Sequence, residues 1–255
     1  MFKPWRSPAF RVQALALLVA AFAMTAMLIL RDSVDQRFNQ RTAVALGADW
    51  ILEGTRFPEA AQQQAVADLS HAEAASFASV LINEDQFLLA SIRALSGGYP
   101  LYGELSVSDS RFSDPYAVDH GPASGTVWLA GQALDRLGLK TGEFITLGER
   151  SLLIDKVLVQ EPDQQAGFYS MNPRALIHLS DLESTGVLGP GSRYRHHLMV
   201  AANAEQRSHL DELLGATLRP DQSIETVATT DLRSRGPVEQ MFLWSQLAVM
   251  LVVLL

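Results

Sequence analysis

An α+β domain carried between two membrane-spanning segments is the architecture that this 255-residue sequence predicts, on three observations. An uncharged apolar run of 19 residues, Val12 to Leu30, is long enough as a helix to cross the roughly 30 Å of a bilayer core. A second uncharged run, Met241 to Leu255, lies at the other end of the chain. Between them, short runs with a strand's two-residue alternation are interspersed with helix-forming stretches, separated by Gly, Pro and Asn.

The first run reads as an uncleaved anchor. A secretory signal is the alternative, because Lys3, Arg6 and Arg11 form a basic leader and Ala21-Phe22-Ala23 has a cleavage-site form. The apolar character continues seven residues past Ala23, which favours the anchor. The bases before Val12 place the N-terminus in the cytoplasm and the central domain outside. Met241 to Leu255, at 15 residues, is too short to span, so it reads as the start of a second transmembrane helix and the chain as the front part of a longer protein. The expected organisation is therefore 1–46 as membrane helix and stalk, 47–230 as the extracytoplasmic domain, and 231–255 as the incomplete second helix.

After Leu30, the positions Val34, Phe38 and Ala45 fall near helical spacing, with no Pro or Gly before Gly47. A stiff stalk or a plain exit helix would read alike. Asp49 to Glu53 is a short strand ended by Gly54. Pro58 precedes a helix rich in Ala and Gln. Ser76 to Ile82 and Phe87 to Ala94 are strands joined into a hairpin by the polar Asn83-Glu84-Asp85-Gln86. In Ser96 to Leu105, Gly97 and Gly98 free the backbone to turn, Pro100 fixes an extended conformation, and Gly103 suggests a bulge or a close backbone approach.

Ser106 to Gly125, with Pro115 and Pro122, reads as a polar surface loop. Regular structure resumes with a strand at Thr126 to Leu129, a short helix at Gln132 to Leu137, and strands at Glu143 to Leu147 and Leu152 to Val159, with Gly148 in the turn. Glu161 to Tyr169 is a loop and Pro173 to Leu179 a strand. A weak helix start follows at Ser180. The connection Gly186 to Gly191 leads to a strand at Tyr194 to Ala202. Asn203 caps a helix over Ala204 to Leu214, which Gly215 ends. Gln222 to Thr229 is the last strand.

Residues 47–230 carry 24 Asp and Glu against 12 Lys and Arg, and no basic stripe interleaved with aromatics is present, so nucleic acid is excluded as a partner. With no cysteine, disulfides and zinc-thiolate sites are excluded too. No Gly-Lys-Ser/Thr follows a glycine-rich turn, which leaves no phosphate loop for ATP. His196 and His197 would point to opposite faces of their strand and cannot share a metal, while His71, His120, His178 and His209 are scattered. Neither Ser124 nor Ser192 sits in a Gly-x-Ser-x-Gly elbow. The expectation is a protein with no catalytic, cofactor or metal residues of its own.

One set of motifs is more specific. It comprises Gly97-Gly98-Tyr99-Pro100-Leu101 with Gly103, Val127-Trp128-Leu129, Leu137-Gly138-Leu139 with Gly142, and Leu147-Gly148. Glu161-Pro162-Asp163, Asn172-Pro173-Arg174 and Gly191-Ser192-Arg193 complete it. In these the chain resembles the N-terminal portion of FtsX/MacB-type ABC-transporter permeases, particularly the long ones encoded beside an ATPase and a lysophospholipase. The resemblance implies a periplasmic core domain between the first two transmembrane helices of an inner-membrane protein. It also implies further helices and commonly a second copy of the domain. A separate cytoplasmic ATPase would drive it, and a lipid or other amphiphile is the implied cargo. Tyr99, Pro100, Leu101, Tyr102 and Gly103 are the residues implied to touch substrate or a periplasmic partner, although Tyr102 stands where the resemblance would put a base. A membrane-anchored sensor shares the helix, domain, helix plan. A tethered hydrolase lacks its nucleophile.

Overall fold

The computed structural model describes residues 47–162, 172–189, 191–215 and 217–226. Both apolar runs, the stalk, most of the loop expected at Glu161 to Tyr169 and the end of the last strand lie outside the described residues. Among those described, no helix is long and apolar enough to cross a membrane.

Two βαβ units interleave to form one end of the domain. The first is β1 (Trp50–Gly54), α1 (Ala60–Val66) and β2 (His71–Asn83). The second, near the end of the chain, is β10 (Tyr194–Val200), α4 (Ala204–Gly215) and β11 (Ser223–Thr226). Their strands lie side by side in the order β11-β1-β10-β2, every neighbour antiparallel, which is the split-βαβ or ferredoxin-like arrangement. Trp50, Leu52, Leu198 and Val200 face the helices and bury with Val66, Leu210 and Leu214. Asn203 caps α4 as expected, its Oδ1 accepting from the Gln206 N–H at 2.9 Å while Gln206 returns the bond.

Everything between β2 and β10 is an insertion. It contains β3 (Gln86–Leu95), β4 (Leu105–Ser108), β5 (Tyr116–Val118), β6 (Thr126–Ala130), α2 (Gly131–Leu137), β7 (Phe144–Leu147), β8 (Arg150–Gln160) and β9 (Arg174–His178). A short 3-10 turn (Leu179–Asp181) and α3 (Leu182–Thr185) complete it. Because β7 pairs with both β2 and β8, six strands close into a ring, β2-β3-β9-β6-β8-β7. The inward residues of all six, among them Phe77, Leu81, Ile92, Val127, Leu147 and Ile177, form one core, to which α2 adds Ala133, Leu134 and Leu137. In β8 the register slips by one residue at Asp155, so that Ile154 and Val157 both reach this core while Leu158 turns to the other side. A second core, holding Ile51, Tyr99, Val107, Trp128 and Leu176, lies on the opposite face of the strands.

The expected hairpin forms, with Glu84 and Asp85 as its two-residue turn and Asn83 paired to Gln86. Its first strand is longer than expected, starting at His71. The Ala-rich start is a poor strand former by itself, yet Ala72, Ala74 and Ala75 are fully buried because tertiary neighbours press on both faces. Ser106 to Gly125 is not wholly loop: β4 and β5 lie in it. The alternation of Leu105 and Val107 with serines is short, and it becomes a strand through pairing with β8. The peptide bond between Tyr99 and Pro100 is cis.

Candidate functional site

The Ser96 to Gly103 loop begins where β3 ends and is held at both sides. Ser96 exchanges bonds with Glu73: its backbone N–H donates to the Glu73 carbonyl at 2.9 Å, and its Oγ accepts from the Glu73 N–H at 2.8 Å. Gly98 then passes so close to β2 that a Cβ there would lie 2.5 Å from the His71 carbonyl oxygen. Only glycine fits.

That approach turns Tyr99 inward, fully buried in the second core. The Arg93 guanidinium lies 4.9 Å from the centre of its ring and donates to its Oη at 3.3 Å. Arg93 also pairs with Glu161 at 3.0 Å, and Arg174 holds the other Glu161 oxygen at 2.7 Å. Glu161 is only 2% exposed, so its charge is answered from both sides by guanidinium groups. Beside this trio is a cavity of about 190 Å³ whose walls include Ala130, Gln132, Val159, Glu161, Asn172 and Arg174.

The structure thus gathers three motif pieces that are far apart in sequence: Tyr99 from the glycine loop, Glu161, and Asn172-Pro173-Arg174. The charged trio was not legible in the sequence, since nothing in the spacing of Arg93, Glu161 and Arg174 announces their meeting. The mixed parallel and antiparallel order of β3, β9, β6 and β8 creates it.

The remaining motif residues lead elsewhere. Leu101 packs on the second core, and Gly103 has a φ of 77°. The Tyr102 hydroxyl donates to the Asp49 carboxylate, which also accepts from the Ala202 N–H at 3.0 Å. Burial first, then the bond and charge of Asp49, push the Tyr102 phenol up to about 12. Tyr102 is therefore a neutral donor where the resemblance would place a cation. Asp49 stands at the threshold of β1, so the loop is fastened to the point where the chain enters the domain.

The two histidines take opposite faces, as expected. His196 is buried, with Nε2 3.0 Å from Glu73 and the Phe57 ring 4.7 Å away, while His197 Nε2 is 4.0 Å from Glu53. The His196 bond, larger than the opposing burial, holds the Glu73 carboxyl below the usual range. Asp181 is fully buried and receives Ser124 Oγ at 2.6 Å, the Gly125 N–H at 2.7 Å and Arg150 at 3.1 Å, tying the start of β6 to the 3-10 turn. Among the described residues, no three His, Asp or Glu side chains gather as metal ligands would.

No protein-family model matches the chain. The Escherichia coli (strain K12) protein described as the uncharacterized ABC transporter permease YbbP is 29% identical over 223 residues, 87% of this chain but only 27% of the relative's length. Among solved structures, the periplasmic region of MacB from Actinobacillus actinomycetemcomitans superposes with a TM-score of 0.51 at 12% identity, over 76% of this chain and 96% of that one. The extracellular domain of the noncanonic ABC-type transporter YknZ from Gram-positive bacteria gives 0.46 at 12% identity, over 69% and 100%. The chain is similar in sequence to an ABC transporter permease, and its fold is that of the MacB periplasmic region.

Proposed function

We propose that this domain is the periplasmic part of an inner-membrane ABC-transporter permease, tethered to the bilayer by residues 1–46 on one side and 231–255 on the other, with the N-terminus in the cytoplasm. One observation carries the tethering. β1 and β11 are antiparallel neighbours, and Trp50, where β1 starts, is paired with Thr226, where β11 ends. The two connections to the apolar runs therefore leave from adjacent strands about 5 Å apart. A single membrane surface can hold both.

A separate cytoplasmic ATPase subunit supplies the energy, and the permease converts it to movement of this domain without chemistry of its own. The cargo in this reading is a lipid or other amphiphile, taken out of the membrane or exported. The Asp49 junction suits the transmission: a displacement arriving along the chain at Gly47 meets a carboxylate bonded to both the Tyr102 loop and the start of the segment leading to α4. Pro100, Leu101 and Tyr102, each partly exposed, and the exposed Gly103 are the proposed contacts for substrate or a periplasmic partner, with the buried Tyr99 of the same motif anchoring them.

The test is purification of the full-length protein from detergent-solubilised membranes with and without non-hydrolysable ATP, followed by mass spectrometry of what accompanies it. A small cytoplasmic ATPase in stoichiometric amount is the expected result. Recovery of response-regulator or adaptor proteins with no ATPase would overturn the permease in favour of a sensor.

A further inference from the structure

The outer face of the β2–β3 hairpin carries an apolar surface that the fold itself does not use. Leu81 and Leu88 point into the barrel core, so the register Val80↔Leu89 and Ile82↔Phe87 puts those four side chains together on the outside. β7 extends the patch: Thr146 pairs with Ile82, and Phe144, two residues along, is on the same face. Phe87 is 69% exposed, Phe144 62%, Leu89 51% and Val80 39%. Together they leave about 400 Å² of apolar surface on one face, within the range of the largest patch on a typical single chain, which is often functional. Elsewhere the outward face of the barrel is polar, as at Ser91 and Ser151, or covered by the second core, as at Trp128 and Leu176.

We infer that this face is a docking surface for a protein partner that presents an apolar segment flanked by basic residues. The inference goes beyond the permease reading and does not depend on it. Three candidate occupants differ in what they require. A bilayer surface is a poor match, because the exposed acids Glu84 and Asp85 end the patch and anionic lipid headgroups would repel them. A second copy is a poor match: about 400 Å² is half of the roughly 800 Å² that each partner buries in a lasting dimer. Two copies would also set Glu84, Asp85 and Glu143 against their own equivalents in a chain of net charge −8.

Those acids define the partner. Glu84 and Asp85 are exposed in the turn that ends the patch, and Glu143 is exposed beside Phe144. Of the bases nearby, Arg136 and Lys140 belong to the end of α2 and the residues after it, and Arg174, opposite Ser91, is paired with Glu161. The Lys140 backbone N–H donates to Glu143 at 2.8 Å, which fixes that carboxylate. A segment with Leu or Phe side chains for the patch and Lys or Arg beyond them meets both features. The modest area makes the association a transient one.

The test is site-specific photocrosslinking in cells, with p-benzoylphenylalanine in place of Phe87 or Phe144 in the full-length protein and Leu213, exposed on α4, as the control position. Crosslinks from 87 and 144, and none from 213, to a different protein through a peptide that is apolar and flanked by Lys or Arg are the expected result. Leu89→Asp, and separately Glu84→Lys with Asp85→Lys, should each lower the yield at least five-fold without moving the melting temperature. Crosslinks to lipid or to a second copy of the chain, a peptide without that pattern, no crosslink, or a yield indifferent to the charge reversal would each overturn the inference. Co-purification of the ATPase is read independently, so failure here is distinguishable from failure of the permease reading.

Discussion

Glu161 shows how one side chain can hold distant parts of a chain together. It joins the end of β8 to β3 through Arg93 and to β9 through Arg174, and Arg93 in turn covers Tyr99. Glu161→Gln would remove the buried carboxylate that Arg93 and Arg174 share, and should destabilise the purified chain by about 3 kcal/mol in a denaturant titration. Gly148 is a second sensitive position. Its φ is 60°, and a Cβ would lie 2.0 Å from the Thr185 carbonyl oxygen, which itself accepts from the Glu149 N–H at 2.8 Å. Gly148→Ala should cost about 2–4 kcal/mol, whereas Gly97→Ala, with nothing within 4 Å of the added methyl, should stay within about 0.5 kcal/mol of the parent. Equal melting points for the two variants would contradict the geometry. That a turn lay at each of these glycines was legible in the sequence. Which of them the fold crowds was not, because the crowding atoms come from residues tens of positions away.

Among the elements, β2 does the most joining, since it is at once an edge of the split-βαβ sheet and a stave of the barrel. Glu73 sits on this shared strand, bonded to His196 of β10, and its carboxyl is held below the ordinary value of 4.5 chiefly by that bond. A carboxylate with a lowered folded-state pKa favours the folded state fully above the unfolded value, and that contribution fades as pH falls through the lower one. Stability of the parent should therefore decline on acidification below about pH 4.5, and Glu73→Gln should show a shallower decline there. Denaturant midpoints measured from pH 3 to pH 7 check this, and parallel curves for the two proteins would assign the acid sensitivity elsewhere. The full length of β2 was not readable locally. The Ala-rich sequence from Ala72 to Ala75 has weak strand preference, and it is strand because β10 and β3 pair with it on either side.

At the scale of the whole molecule, the adjacency of β1 and β11 brings together residues about 170 positions apart. Glu53 and Ser223 are register partners, and the chain has no native cysteine. Oxidation of a Glu53→Cys, Ser223→Cys double variant should form an intrachain disulfide, visible as faster migration on non-reducing gels; absence of the bond would mean the strands are not neighbours. The α+β class, the hairpin, the helix over Ala204 to Leu214 and its Asn203 cap were determined by sequence alone, because periodicity, turn residues and caps are local properties. The motif pieces were visible too, as turns carrying a family resemblance. Only the tertiary structure decided that the middle of the chain closes into a barrel, that β4 and β5 arise inside an apparent loop, and that Tyr99, Glu161 and Arg174 converge. Those outcomes depend on pairing between segments far apart in sequence, and a strand's choice of neighbour is set by the faces that must be buried together, which no single stretch of residues encodes.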